Sequence, residues 1–575
     1  MSEKKKILEL RKLKKYFPVA GNRKLKAVED VSFVLYEGEK LGVVGESGCG
    51  KSTLGRTILQ LYEQTSGSCV YYGKSIQELN PAYIRKEIAS LKDYQKRAVE
   101  FYQKSLKEDE QIKALNGKCE ELDPDGSDKD ARKYDKLQNQ IDKLRFRSGE
   151  FRKDASRQLR EASRTVGSLI LSKDIDQIAA LFNKAEDEVQ AAHDDLVRYK
   201  ENKNHYENNL LILEQLENNA VWIKELEEKS ELSEEEKYHL ADLKHIAKKI
   251  ATVDPEKIKA ENAVYLKKME EYEASSQRHH EIEMSYRKEA FDRYHGVNYL
   301  PITERTLDKA YQDKLDANYE TGINLSKLSK KEMASIRPDL QMVFQDPAAS
   351  LDPRESVGRA IEEVFEIHSD MSSLLRRQKT LQLLSEVGLK SEHYYAYPHS
   401  LSGGMKQRVG IARAIALEPS FVVLDEAVSA LDVSVQAQIL QLLERLRKQK
   451  NLTYLFITHD LGVVRHFCDR VIVMYLGNVC ELADNEDLFK NPLHPYTKSL
   501  LEAVPRMRLD RKENKEDILQ GEVPSPLDPP SGCPFHTRCK QCMDICKKEK
   551  PKGFEIADGH LIFCHLYDKE NDDEL

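Results

Sequence analysis

Long apolar runs are missing from this chain. None of its 575 residues sits in a stretch that approaches the length needed to cross a bilayer, about 20 apolar residues. The sequence predicts no membrane-spanning helix, and any work at a membrane is expected to go through partners. The opening Met1-Ser2-Glu3-Lys4-Lys5-Lys6 is basic but lacks the apolar core of a secretory leader, so a cytosolic chain is expected. A positive excess is missing too. Lys and Arg number 90 against 98 Asp and Glu, a net charge of −8, which gives no reason to expect a nucleic-acid partner. Cysteine is sparse, ten in all, with five between Cys533 and Cys564. In a reducing compartment disulfides are not expected, so that cluster reads first as a metal or iron–sulfur candidate. Charged residues reach 33% and the mean hydropathy is −0.63, which implies a soluble chain with an unusually charged portion.

What is present begins with Gly45-Glu46-Ser47-Gly48-Cys49-Gly50-Lys51-Ser52-Thr53. It follows the apolar Leu41-Gly42-Val43-Val44, so the context is strand, glycine-rich turn and helix start. That is the setting of a Walker A loop. Glycines let the backbone wrap a triphosphate with its N–H groups inward, and the helix adds its positive end. Lys51 can reach the β- and γ-phosphates, and the Ser52 hydroxyl can ligate Mg²⁺. The plain alternative is a turn with an exposed lysine; the strand–helix context argues against it.

Three regions follow from composition. Residues 1–76 read as strands and turns leading into that loop and its helix, with Ala27 to Leu35 alternating in its second half as a half-buried strand does. Residues 77–321 are rich in Lys, Glu, Asp, Gln and Asn and poor in Gly and Pro. Tyr134, Leu137, Ile141 and Leu144 recur at helical spacing, as do Val189, Ala192, Leu196, Tyr199, Lys203, Tyr206, Leu210 and Leu213. Such stripes predict antiparallel helices of coiled-coil character whose charges are mostly solvated surface. Breaks are expected in the turn Leu122-Asp123-Pro124-Asp125-Gly126-Ser127, at a capping box Ser233-Glu234-Glu235-Glu236, and at Asp254-Pro255. From 322 to 495 the α/β grammar returns, with buried strands expected at Leu340 to Phe344, Phe421 to Leu424, Tyr454 to Ile457 and Val471 to Met474. Residues 496–575 are Pro- and Cys-rich and end in the acidic Glu570-Asn571-Asp572-Asp573-Glu574.

The strand before Asp425-Glu426 makes that pair a Walker B candidate. Asp425 can hold Mg²⁺ through water, and Glu426 can orient and deprotonate the attacking water. Its company is specific: Phe344-Gln345-Asp346-Pro347, Leu401-Ser402-Gly403-Gly404-Met405, Ser429-Ala430-Leu431-Asp432 and Ile457-Thr458-His459-Asp460. This ordered set resembles the ATP-binding subunits of ABC transporters, over residues 7–76 and 322–575. The resemblance implies a P-loop NTPase domain of class α/β, with an antiparallel β subdomain and an α-helical signature subdomain. The helical insertion interrupts that domain, and a small Cys-rich extension ends it. It also implies roles. Gln345 would be the Q-loop residue, touching Mg²⁺ or the water. Ser402, Gly403 and Gly404 would form the signature loop, a second anion site used on ATP held by the opposite subunit. Asp432 would lie in the D-loop and His459 would be the switch histidine. Tyr16 would stack on adenine, with Phe17 as the other candidate. Ala427 departs from the family, which usually has proline there. Two ATP molecules would be sandwiched between two subunits.

Spacing agrees with one interrupted domain. Lys51 and Asp425 are 374 positions apart, and removing the 245 residues of 77–321 leaves 129. The flanks rejoin as Tyr72 to Ile76 running on to Leu325 to Ser329, in a surface loop where a long excursion costs little closure entropy.

Further wording narrows the resemblance to the oligopeptide/dipeptide importer subunits, the F-type ATPase of the pair. It lies in Ser350-Leu351-Asp352-Pro353-Arg354, the run Val428 to Gln438, His494-Pro495-Tyr496-Thr497 and Gly521-Glu522-Val523-Pro524-Ser525-Pro526. That branch implies a D-type ATPase partner, two permeases, an extracellular peptide-binding protein and a peripheral place on the cytoplasmic face of the membrane. Cys533, Cys539, Cys546 and Cys564 align with its C-terminal cysteine set. Four thiolates suit Zn²⁺ or a [4Fe–4S] cluster; the resemblance favours iron–sulfur, and buried reduced cysteines are the plain alternative. Soluble ABC ATPases of DNA repair and chromosome organisation are the rival class. Their coil separates the Q-loop from the signature, whereas here the coil precedes both. Translation-factor ATPases carry two such domains, and one is visible here.

Overall fold

The computed structural model describes residues 4–21, 23–122, 128–229, 231–232, 234–503 and 521–568. Most of the expected turn at 123–127, the Ser233 end of the capping box, the first three residues and the acidic run 570–574 lie outside the described residues. The chain divides into two compact units. One comprises Met1–Lys74, Glu201–Lys267 and Asn324–Leu575; the other comprises Ser75–Lys200 and Lys268–Ile323.

The first unit carries two sheets. Strands β1 (Lys6–Val19), β2 (Arg23–Tyr36), β4 (Ser66–Tyr71) and β5 (Ile323–Asn324) form a four-stranded sheet ordered β2-β1-β4-β5. β1 pairs antiparallel with β2 and with β4. Val31, Phe33 and Leu35 of β2 are buried while Ser32 is exposed, the period-2 pattern of a one-sided sheet. The second sheet uses β3 (Lys40–Val44), β6 (Leu340–Val343), β7 (Phe421–Asp425), β8 (Thr453–Ile457), β9 (Arg470–Tyr475), β10 (Asn478–Asp484), β11 (Phe554–Ala557) and β12 (His560–Ile562), ordered β11-β12-β10-β9-β3-β8-β7-β6. From β9 to β6 all neighbours are parallel. β7 and β8 are buried at every position, as parallel strands covered on both faces must be. β10 turns antiparallel and pairs with β12, so the C-terminal extension adds to the main sheet.

The chain leaves the antiparallel sheet after β4 and returns through β5, its neighbour. The return is pinned by the Tyr71 hydroxyl, which donates to Asp339 Oδ2 at 3.0 Å, and by Lys74 Nζ at 3.4 Å from the same oxygen. Ser329 then opens the helix Lys330–Ile336 with a capping box to Glu332.

The second unit is helical. Its core joins Ile88 and Leu91 from Ala82–Glu120, Leu159 from Asp128–Val166, Phe182 from Ile175–Glu227 and Ala290 from Pro255–Tyr294. Arg287 is buried between Glu186 at 2.6 Å and Glu283 at 2.7 Å, so this buried cation is matched by two carboxylates. The helix Pro255–Tyr294 starts among residues grouped with the first unit, where Asp254 opens it, its Oδ1 accepting from the Glu256 N–H at 3.0 Å.

Two features depart from the sequence expectation. Residues 201–267, expected with the insertion, group with the first unit. There Asn208 Oδ1 accepts from the Ser372 hydroxyl at 2.7 Å and Glu207 meets Lys379 at 3.2 Å. Trp222, Leu243 and Ile246 face Leu374 and Leu381 of the helix Ser373–Glu386 across a cavity of about 380 Å³. The stripe on Ile175–Glu227 also drifts. Val189 and Ala192 are buried, but by its far end Leu211 is 3% exposed and the expected Leu210 is 45% exposed. A strict 3-4 alternation has a period of 3.5, and a straight helix of 3.6 residues per turn slips about 20° per heptad. After three heptads the buried face has moved one residue on.

Candidate nucleotide site

The phosphate loop is the turn between β3 and the helix Lys51–Ile58. Gly50 ends it at φ +99°, where a Cβ would lie 2.0 Å from the Ala27 carbonyl oxygen. Gly45 begins it with the same restriction, 2.2 Å from the Met474 oxygen. Only glycine fits at both ends. Between them Ser47 and Gly48 are exposed, and Cys49 is buried, which pushes its thiol pKa up. Lys51 is 5% exposed, and its Nζ donates to the Gly45 and Glu46 carbonyl oxygens at 2.8 and 3.1 Å. The ammonium is held on the loop's own carbonyls. Thr53 follows Ser52 in the first turn, and its carbonyl accepts from the Thr57 hydroxyl at 2.7 Å.

Parallel pairing of β3, β8 and β7 brings the later residues to this loop. The Ser52 hydroxyl donates to Asp425 Oδ1 at 2.7 Å. Asp425 ends β7 fully buried. Its Oδ2 has no hydrogen-bond partner, only Arg56 Nη2 at 3.8 Å. Burial pushes the Asp425 carboxyl pKa up, against the opposing pull of Ser52 and Arg56. A dry carboxylate oxygen short of a partner beside a serine hydroxyl suits a hard cation.

Glu426 comes next, at φ +47°. Its N–H donates to the Ile457 oxygen at 2.9 Å, and its carbonyl accepts from the Ser429 hydroxyl at 2.8 Å. That strained backbone aims the side chain between Gln345 and His459, with the Ser429 hydroxyl also donating to Oε2 at 3.3 Å. Gln345 Nε2 donates to Oε2 at 3.0 Å, and His459 Nδ1 lies 3.4 Å from Oε1. Ala427, the departure from the family, is buried at 2% in the core. Gln345 borders a groove of about 500 Å³ lined by Phe344, Val364, Gly410 and Arg413.

The signature residues form a second cluster. Ser402 caps the helix Gly403–Ile415, accepting from the Met405 N–H at 3.3 Å. Gly403 lies against Leu431, and a Cβ on Gly404 would stand 2.6 Å from Val435. Asp432 caps the helix Val433–Lys450, and the Ser434 hydroxyl, donating at 2.6 Å, holds its pKa below the usual range. Ser402 and Gly403 are exposed, leaving this helix N-terminus open to an anion from outside. Tyr16 sits on β1 with its hydroxyl donating to Glu29 at 2.6 Å, and Phe17 stands edge-on to Tyr62 at 5.4 Å.

The cysteines of the extension converge in part. Cys533, Cys546 and Cys564 are buried and Cys539 is half-buried. Burial pushes the Cys533 and Cys564 thiols up to about 12 and about 11. Among the described residues no three His, Cys, Asp or Glu side chains are grouped to hold a metal ion.

Sequence reasoning missed one set of partners. The Arg538 guanidinium grips the Glu46 carboxylate, and the Tyr496 hydroxyl accepts from the Glu46 N–H. An acid inside a phosphate-binding loop was the available signal, since it needs a cation.

A glycine-bounded loop before a helix, a buried acid beside Ser52, a glutamate between Gln345 and His459 and a second open helix N-terminus are the arrangement expected of an ATP-hydrolysing domain of the ABC type. The family model "ABC transporter" matches residues 28–168 and 306–429, and "Oligopeptide/dipeptide transporter, C-terminal region" matches 480–546. The oligopeptide transport ATP-binding protein AppF of Bacillus subtilis is 48% identical over 265 residues, 46% of this chain and 80% of that protein. The di/tripeptide transport ATP-binding protein DppF of Pseudomonas aeruginosa is 46% identical over 244 residues, 42% of this chain and 75% of that protein. The chain belongs to the ABC transporter ATP-binding proteins, in their oligopeptide/dipeptide branch. These relatives favour a transporter subunit over the DNA-repair class. Among the described residues no helix is long and apolar enough to cross a membrane.

Proposed function

We propose that this chain is the ATP-hydrolysing subunit that powers import of oligopeptides or dipeptides. It would work peripherally on the cytoplasmic face of the membrane. A D-type ATPase would be its partner, beneath two permeases served by an extracellular peptide-binding protein. The observation that carries the reading is Glu426 held between Gln345 and His459, one residue beyond a buried acid that meets Ser52.

The loop 45–53 wraps the triphosphate, and Lys51 turns from its own carbonyls to the β- and γ-phosphates. Ser52, Gln345 and Asp425 would hold Mg²⁺, which supplies charge neutralisation to the phosphates when bound. Glu426 takes the proton of a water aligned on the γ-phosphate, and Gln345 and His459 orient that carboxylate and sense the phosphate. Tyr16 or Phe17 stacks on adenine. Ser402, Gly403, Gly404 and Asp432 serve the ATP held by the partner subunit. The groove beside Gln345, lined by Phe344, Val364, Gly410 and Arg413, offers the permease a seat. The cysteine set is offered as a site for [4Fe–4S] or Zn²⁺, checked by metal analysis and EPR of anaerobically purified protein.

The test is Glu426→Gln, which keeps volume and one acceptor oxygen. A general base is worth about 10²–10⁴ in rate. Hydrolysis should fall by at least that factor while a fluorescent ATP analogue still binds, and labelled peptide uptake by reconstituted complex should stop. Retained turnover would reject Glu426 as the base.

A further inference from the structure

Glu46, the second residue of the phosphate loop, is held on three sides. Its N–H donates to the Tyr496 hydroxyl at 3.0 Å. Its carbonyl accepts from Lys51 Nζ at 3.1 Å. Its carboxylate accepts both arms of Arg538, Nη1 at 2.7 Å and Nη2 at 3.1 Å. Arg538 and Tyr496 belong to the C-terminal extension, and Arg538 lies 492 positions away in sequence.

This attachment is built. The Arg538 side chain is 6% exposed and the Glu46 side chain 26%. Tyr496 is fully buried, 4.8 Å from the Tyr475 ring and 5.3 Å from Phe535, and Tyr475 also accepts from Arg538 Nη1 at 3.4 Å. Forked guanidinium–carboxylate pairs fix direction as well as charge. The electrostatics need this one. A carboxylate in a loop that binds a triphosphate repels the ligand unless a cation neutralises it, and a half-buried pair is weakly screened.

We propose that Arg538 is a positioning residue of the ATP site, holding the phosphate loop in its binding form through Glu46. The C-terminal extension is thereby a working part of the nucleotide pocket. Arg538 touches no phosphate; it acts through the peptide whose carbonyl parks Lys51. The inference rests on reading residues 45–53 as the phosphate loop.

The experiment uses the full-length chain, a fluorescent ATP analogue and steady-state hydrolysis. Arg538→Gln should weaken analogue binding about tenfold and raise KM by a similar factor, with kcat within about twofold. Arg538→Lys, which keeps charge but loses the fork, should fall between. Adding Glu46→Gln to Arg538→Gln should restore part of the lost affinity, because the uncompensated carboxylate is gone. Wild-type KM in Arg538→Gln would overturn the proposal. So would additive losses in the double variant, or a loss seen only as a lower urea midpoint with normal binding by the folded fraction. Lys51→Ala is the control on the underlying reading: if it still binds the analogue tightly, residues 45–53 are not the phosphate loop, whatever Arg538 does.

Discussion

His494 provides a pH test of how the extension is fastened. It caps the helix Pro495–Glu502, its Nδ1 accepting from the Tyr496 N–H at 3.0 Å, and its own N–H goes to Glu481 Oε2 at 3.0 Å. The residue is 2% exposed and its ring packs 5.8 Å from Phe535. Burial, with a smaller push from Lys498, lowers its pKa to about 3. An opened chain has an ordinary imidazole near 6.5. The folded group is therefore the weaker base. Its contribution is complete above about pH 6.5 and is lost as pH falls from there toward 3. Between pH 7 and pH 5 the opened state gains about 0.7 of a proton that the folded state refuses. The linkage amounts to about 2 kcal/mol, on the order of 25-fold in an opening equilibrium. Hydrogen exchange over Pro495–Glu502, corrected for intrinsic rates, should show that loss of protection in the wild type. His494→Asn keeps a capping oxygen but does not titrate, and should lose the pH slope. An equal slope in both proteins would refute the argument.

Gly50→Ala places a methyl 2.0 Å from the Ala27 oxygen at φ +99°. It should weaken analogue binding about 5- to 150-fold, strain at such a position being about 1–3 kcal/mol; wild-type affinity would refute it. Leu211→Ala should cost about 2–5 kcal/mol and Leu210→Ala within about 0.5 kcal/mol, read as urea midpoints. The reverse order would restore the strict heptad reading.

Much of the nucleotide site is legible because its requirements are local. Gly45 and Gly50 are dictated by backbone that tolerates no Cβ, and the acid after a buried apolar run can only stand at the end of a strand like β7. The strands at Phe421, Tyr454 and Val471 show themselves because parallel strands covered on both faces are apolar throughout; the one expected buried over Leu340 to Phe344 is instead an edge strand, with Gln341 and Met342 half-buried and Phe344 exposed beyond its end. What lay hidden is long-range or cumulative. Nothing in the spacing of Trp222, Leu243 or Ile246 says that they meet Leu374 and Leu381, since one amphipathic face reads like another. The exchange of Leu210 for Leu211 accumulates over turns from a tenth of a residue per turn. The Glu46–Arg538 fork joins residues whose only sequence hint is opposite charge.

Because β5 runs beside β4, the chain departs and comes home through adjoining doorposts. A short splice across them would close the sheet without stretching it. The same cut would strip the coat supplied by 201–267 from Leu374 and Leu381. A slimmed version of this protein would be sound in its sheet yet sticky on one flank, and whoever makes it must first repaint that helix with polar side chains.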